Sequence, residues 1–136
     1  MAILLSNGII KIMATQQPKL PKELLSKANQ INAEYAWKPI DIPLLSDFFK
    51  ENSFAVLGGE VWIKTDAGPL IPSDLYNWSI ERNENEHWYE YVSRSLKAME
   101  EFSSQIITDS ILSDQIDKLY INLEFEGNPD SMQNSN

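Results

Sequence analysis

The stretch Ala55–Trp62, AVLGGEVW, sets two adjacent glycines between apolar residues, with a carboxylate directly after them. Its reading decides the fold. A phosphate cradle needs a Lys-Ser/Thr pair after the glycines, or three glycines between a strand and a helix. Neither is present, and the next residues, EVWIK, alternate like a strand. Gly58 and Gly59 are therefore expected to supply positive φ values in a tight turn or bulge between two strands, FAVL and EVWIK. Glu60 would then stand at the start of the second strand, and Trp62 on one of its faces.

Downstream, TDAGP turns the chain, and LYNWSIE alternates. Leu75, Asn77, Ser79 and Glu81 fall on one side, and Tyr76, Trp78 and Ile80 on the other. The polar loop RNENEHW leads into the strongest helical pattern in the chain. Asn85 is expected to cap it, and Glu86 suits its positive end. Trp88, Val92, Leu96, Met99, Phe102 and Ile106 recur at three and four, an apolar stripe for the core. Glu90 stands four residues before Arg94, the favourable order for an ion pair. A short helical stretch near Asp109 to Lys118 precedes YINLEFE, which alternates as a strand. The polar residues 127–136 are expected to be a disordered tail.

Upstream, KPIDIPLLSDFFKEN predicts a helix with Asp41 as cap and Pro43 in the first turn. Leu44, Leu45, Phe48 and Phe49 would form its apolar face, and Asn52 its left-handed stop. ELLSKANQINAEYAW reads as partly helical, and ATQQPKLPKE as a polar connector. Before it, AILL and IIKIM flank Asn7-Gly8, which fits either a hairpin or a short helix after a Ser6 cap. Together these elements predict a single α+β domain over residues 1–126. A small, mostly antiparallel sheet would pack against one long amphipathic helix and shorter helices.

Composition narrows the function. The chain has 136 residues, 43% hydrophobic and 23% charged, enough for one domain with its own core. It has no cysteine, which fits a reducing compartment. Net charge is −9, and the imbalance lies in the second half, with four basic and thirteen acidic residues from Asp74 onward. Such a surface repels nucleic acid and anionic lipid and speeds encounter with a basic partner. No run approaches the roughly 18 apolar residues that span a bilayer. The expected location is the cytoplasm.

The residues offer no catalytic constellation. His87 is the one histidine, and a single histidine cannot build a nitrogen-rich zinc site, so no metal or cofactor is expected. Glu81, Glu84, Glu86 and His87 could serve a small carboxylate-dependent hydrolase, but nothing in their spacing selects an acid/base pair. Trp88 reads as core. Trp62 beside carboxylates, on an outer sheet face, would suit a protein interface.

Three segments carry a resemblance. The string INAEYAWKPIDIPLLSDFFKENSFAVLGGEVW, then YNW, then EHWYEYVSRSLKAMEEF, resembles the immunity protein 40 family of bacterial polymorphic toxin systems. Gly58, Gly59, Val61 and Trp62 fit the family's first element, with Glu60 in place of an aspartate. Asn77 and Trp78 fit the second, where Tyr76 replaces an acid. Glu86, Tyr91, Arg94, Ser95 and Ala98 fit the third. The likeness runs from Ile31 to Phe102. It implies a non-enzymatic protein that binds and neutralises a cognate toxin, many such toxins being basic and attacking nucleic acids. The contact candidates are Glu60, Trp62, Glu81, Glu84, Glu86 and Glu90. The alternatives are the carboxylate-dependent hydrolase and an acidic adaptor for a housekeeping protein.

Overall fold

A computed structural model describes residues 20–31, 33–109 and 115–129. The readings for residues 1–19, for 110–114 and for the tail beyond 129 lie outside these residues. A short helix α1 (Lys22–Leu25) leads into strands β1 (Asn29–Ile31) and β2 (Glu34–Trp37). A 3-10 turn at Pro39–Asp41 opens helix α2 (Ile42–Asn52), and strands β3 (Ala55–Lys64) and β4 (Leu70–Ser79) come next. The long helix α3 (Trp88–Thr108) precedes a 3-10 turn at Ile116–Lys118 and strand β5 (Leu119–Glu126). The sheet has the order β1-β2-β5-β3-β4, and every pairing in it is antiparallel.

The core lies between the helices and one face of this sheet. Trp88, Val92, Leu96, Met99 and Ile106 are buried along α3, as their spacing requires, and Phe102 packs at the edge. From the strands come Val61, Leu119, Ile121, Leu123 and Phe125. Ser95 lets α3 sit close to β3: its hydroxyl accepts the Val56 N–H at 3.0 Å and donates to the Val92 carbonyl. Trp37 closes the far end, its Nε1 donating to the Leu24 carbonyl at 2.9 Å. Ser103 on α3 donates to the carbonyl of Pro39, and Ser46 on α2 donates to the Glu100 carboxylate.

Several local expectations need correction. The glycines make no turn: β3 runs unbroken from Ala55 to Lys64, and neither Gly58 nor Gly59 has positive φ. What survives is a bulge, a register shift against β5 between Val56 and Gly58. The glycines are needed for closeness of approach. A Cβ on Gly58 would stand 2.5 Å from the Trp78 carbonyl oxygen, and one on Gly59 2.9 Å from both the Asn122 carbonyl oxygen and Trp78 Nε1. The true turn is at Thr65–Pro69, where Gly68 has φ 112°.

Helix ends differ too. α3 begins at Trp88, and the Glu90 carboxylate returns to accept the His87 N–H, so Asn85 is no cap but a loop residue at φ 68°. At the end of α2 the left-handed residue is Ser53, not Asn52. Leu44 is 46% exposed, and it is Ile42, Leu45, Ser46 and Phe49 that α2 turns inward.

Candidate functional site

The helices cover one face of the sheet; the other carries a depression with polar walls. Antiparallel pairing puts opposed residues on one face, and the register of β4, β3 and β5 lays out two rows. Glu60 lies between Asn77 and Asn122, and Gly58 between Ser79 and Glu124. Where Gly58 supplies no side chain, a hollow of about 290 Å³ opens, with Glu34 of β2 at its wall. Three carboxylates from three strands, Glu34, Glu60 and Glu124, line it together with Asn77, Ser79 and Asn122. No lysine or arginine does among the described lining residues.

The groove is built firmly. Asn122, itself buried, donates from Nδ2 to the Tyr35 carbonyl at 2.8 Å, tying β5 to β2 beneath it. Trp62 Nε1 donates to Glu60 Oε1 at 2.8 Å. Trp62 is 4% exposed, against Tyr120 and Ala36. It therefore orients Glu60 and offers little surface of its own.

The chain leaves the groove at Ser79 and enters the loop between β4 and α3. Glu86 organises this loop. Its carboxylate accepts Arg94 Nε at 2.8 Å and Nη2 at 2.7 Å, and also the Asn83 N–H at 2.9 Å. The same Arg94 Nη2 donates to the Glu81 carbonyl at 2.6 Å, while Arg82 Nε donates to the Glu86 carbonyl at 2.9 Å. Tyr91 anchors the start of the loop, its hydroxyl donating to the Ile80 carbonyl at 2.7 Å. Arg94 thus pairs with Glu86, and Glu90 caps its helix.

The Arg94 bonds, then the Asn83 N–H, pull the Glu86 carboxyl from 4.5 down to about 2. A depressed folded-state value means that Glu86 contributes stability above its unfolded pKa, and that this is lost as pH falls from about 4.5 through 2. Glu86→Gln should accordingly be less stable than the parent at pH 6, with the gap closing toward pH 2. Urea midpoints across that range measure it; a gap that does not narrow would show that Glu86 titrates normally.

Of the expected contact residues, the fold brings Glu60 into the groove along with Asn77 and Trp78. Glu81 and Glu84 stand exposed on the loop beyond its rim, and Glu86 and Glu90 are engaged in holding that loop and α3. None of Glu81, Glu84, Glu86 and His87 lines the groove. His87 stacks on Tyr89. Among the described residues no group of three or more His, Cys, Asp or Glu is placed to hold a metal ion. Glu34, Asn122 and Glu124 are groove residues that sequence reasoning does not single out. The alternation of YINLEFE sets Asn122 and Glu124 opposite the apolar residues, which is the available signal for those two; Glu34 has none.

The geometry describes a small α+β protein with an acid-lined groove on the sheet face away from the helices. The family model described as Immunity protein 40 matches residues 24–122, and the chain belongs to that family. Membership makes it an immunity protein of toxin systems, a group generally non-enzymatic, and implies a toxin as partner. No curated protein and no solved structure gives a significant match. Among the described residues no helix is long and apolar enough to cross a membrane.

Proposed function

We propose that this protein neutralises a cognate toxin in the cytoplasm by binding it and occluding its working surface. The observation that carries the reading is the groove. Three carboxylates with no lysine or arginine among the described lining residues favour a basic surface, of the kind a nucleic-acid-cleaving toxin presents. Glu60 sits at the centre of the contact, and Glu81 and Glu84 extend it along the exposed loop. Trp62, Glu86 and Glu90 act through these residues, by orienting Glu60 and fixing the loop. Because Arg94 and Glu86 set the loop before binding, little conformational freedom is lost on association.

Growth rescue tests the reading. The product of the neighbouring gene is induced in a sensitive cell with and without this protein. Restored growth, together with a stable complex of the two purified proteins, is the expected result. A toxic neighbour that this protein neither binds nor counters, at good expression, would overturn the pairing.

A further inference from the structure

Two oxygen acceptors meet across β3 and β5 in the groove. Glu60 and Asn122 are paired in register, which sets their Cβ atoms about 5 Å apart on one face. One end of each side chain is already fixed. Asn122 gives Nδ2 to the Tyr35 carbonyl, a group that can only accept, so the amide orientation is set and Oδ1 is the atom left over. Glu60 takes the Trp62 indole N–H on Oε1, which leaves Oε2. Among the described residues no group donates to either leftover oxygen. Asn122 is 5% exposed and lines the hollow, and Glu60 is half-buried. Water can serve both oxygens in the free protein, but a partner that covers the hollow must bring donors of its own.

The surroundings narrow what the donor is. Glu34 and Glu124 add negative charge at the wall, and Asn77 opposes Glu60 from β4. The carboxylates do not converge on a point: among the described residues no three are placed to hold a metal ion. The volume of about 290 Å³ is at the lower limit of the roughly 300–1,000 Å³ of pockets that enclose a whole small molecule. A single side-chain head entering from a partner suits it better. Of the two cationic side chains, lysine concentrates its charge on one strongly hydrated ammonium. Arginine spreads five N–H donors around a plane and gives up water more readily. Acceptors fixed in advance on two neighbouring strands match the second.

We infer that the hollow over Gly58 is a socket for one arginine side chain of the toxin, whose guanidinium donates to Glu60 Oε2 and Asn122 Oδ1. The selectivity for a guanidinium is a property of this chain alone; that a toxin supplies it rests on the function proposed above. Trp62 and the Tyr35 carbonyl are positioning groups, each holding one acceptor in place before the arginine arrives.

The test uses the full chain with no toxin present. N-acetyl-arginine methylamide and, separately, N-acetyl-lysine methylamide are titrated into the isotope-enriched protein, and its amide shifts are followed. The expected result is saturable movement at Gly58, Glu60 and the Asn122 side-chain amide, with an arginine midpoint several-fold below that of lysine. Glu60→Gln keeps an oxygen for the Trp62 indole but removes the charge, and should raise the arginine midpoint about tenfold. A Trp62 indole N–H still protected from exchange shows that the groove is intact in that variant. Glu81→Gln makes the same charge change on the exposed loop and should leave the midpoint where it was. Equal midpoints for the two probes, no saturable movement at these amides, or an equal loss in both variants would overturn the socket. In a complex with the neighbouring gene's product, the arginine probe should no longer move Asn122. Continued movement there would overturn the toxin as occupant while leaving the guanidinium selectivity in place, whereas failed rescue without a complex would count against the proposed function alone.

Discussion

Gly58→Val is expected to destabilise the fold by about 3 kcal/mol, the upper part of the range for forcing atoms into a packed site. The new Cβ alone would lie 2.5 Å from the carbonyl oxygen of Trp78 and 3.1 Å from the Cα of Ser79. Both are backbone atoms of the paired strand, so no side chain can rotate away. Relief requires β3 and β4 to part where Gly58 opposes Ser79. A valine that did fit would still fill the hollow between Ser79 and Glu124. The variant is therefore expected to fail in growth rescue even at a temperature where it remains folded. Urea unfolding gives the stability change and circular dichroism reports the fold. A variant as stable as the parent would show that the strands are not held this closely.

Charge reversal at Glu34 and Glu124 should slow association with the toxin by about ten- to a hundredfold at low salt. Both residues are exposed, so lysine can extend into solvent. Glu60 is left in place, since its carboxylate holds Trp62. The effect belongs to the association rate, because carboxylates at a groove wall steer encounter before contacts form. It should shrink as ionic strength rises and the charges are screened. Stopped-flow association of the double variant over a salt series measures both quantities. An unchanged rate with an unchanged salt slope would remove the groove from the binding face. Glu81→Lys with Glu84→Lys then asks whether the loop steers alone.

Elements are far more legible in this sequence than their meeting points. The α3 stripe from Trp88 to Ile106 is readable because a helix repeats its environment within the chain. Strand alternation in LYNWSIE places Tyr76, Trp78 and Ile80 inward for the same reason, and the three are half-buried against the core. The glycines mislead toward a turn because a Gly-Gly pair looks the same whether the chain bends or a neighbour presses close. Only the position of Trp78 on β4 and Asn122 on β5 tells the two apart, and both lie far along the chain. The groove is hidden for a related reason. Glu34, Glu60 and Glu124 become neighbours through strand order, which no local pattern encodes. Glu86 and Arg94 stand out as family residues, and an acidic partner for Arg94 is expected from the sequence, yet that the partner is Glu86 across the loop and not Glu90 depends on where α3 begins.

The central position of β5 has a consequence for when protection begins. This strand, residues 119–126, is last among the described strands in the chain, yet it lies between β2 and β3. Until it arrives, β1–β2 and β3–β4 are separate hairpins with no ladder between them, and the groove lacks Asn122, Glu124 and the joining of Glu34 to the β3–β4 side. A nascent chain still lacking these residues on the ribosome can form α3 but not the sheet that α3 covers. Pairings between residues so distant in the chain also close slowly. On the function proposed above, only chains translated past β5 can bind toxin, and a shortfall in translation past residue 119 leaves toxin unbound however much messenger the cell holds.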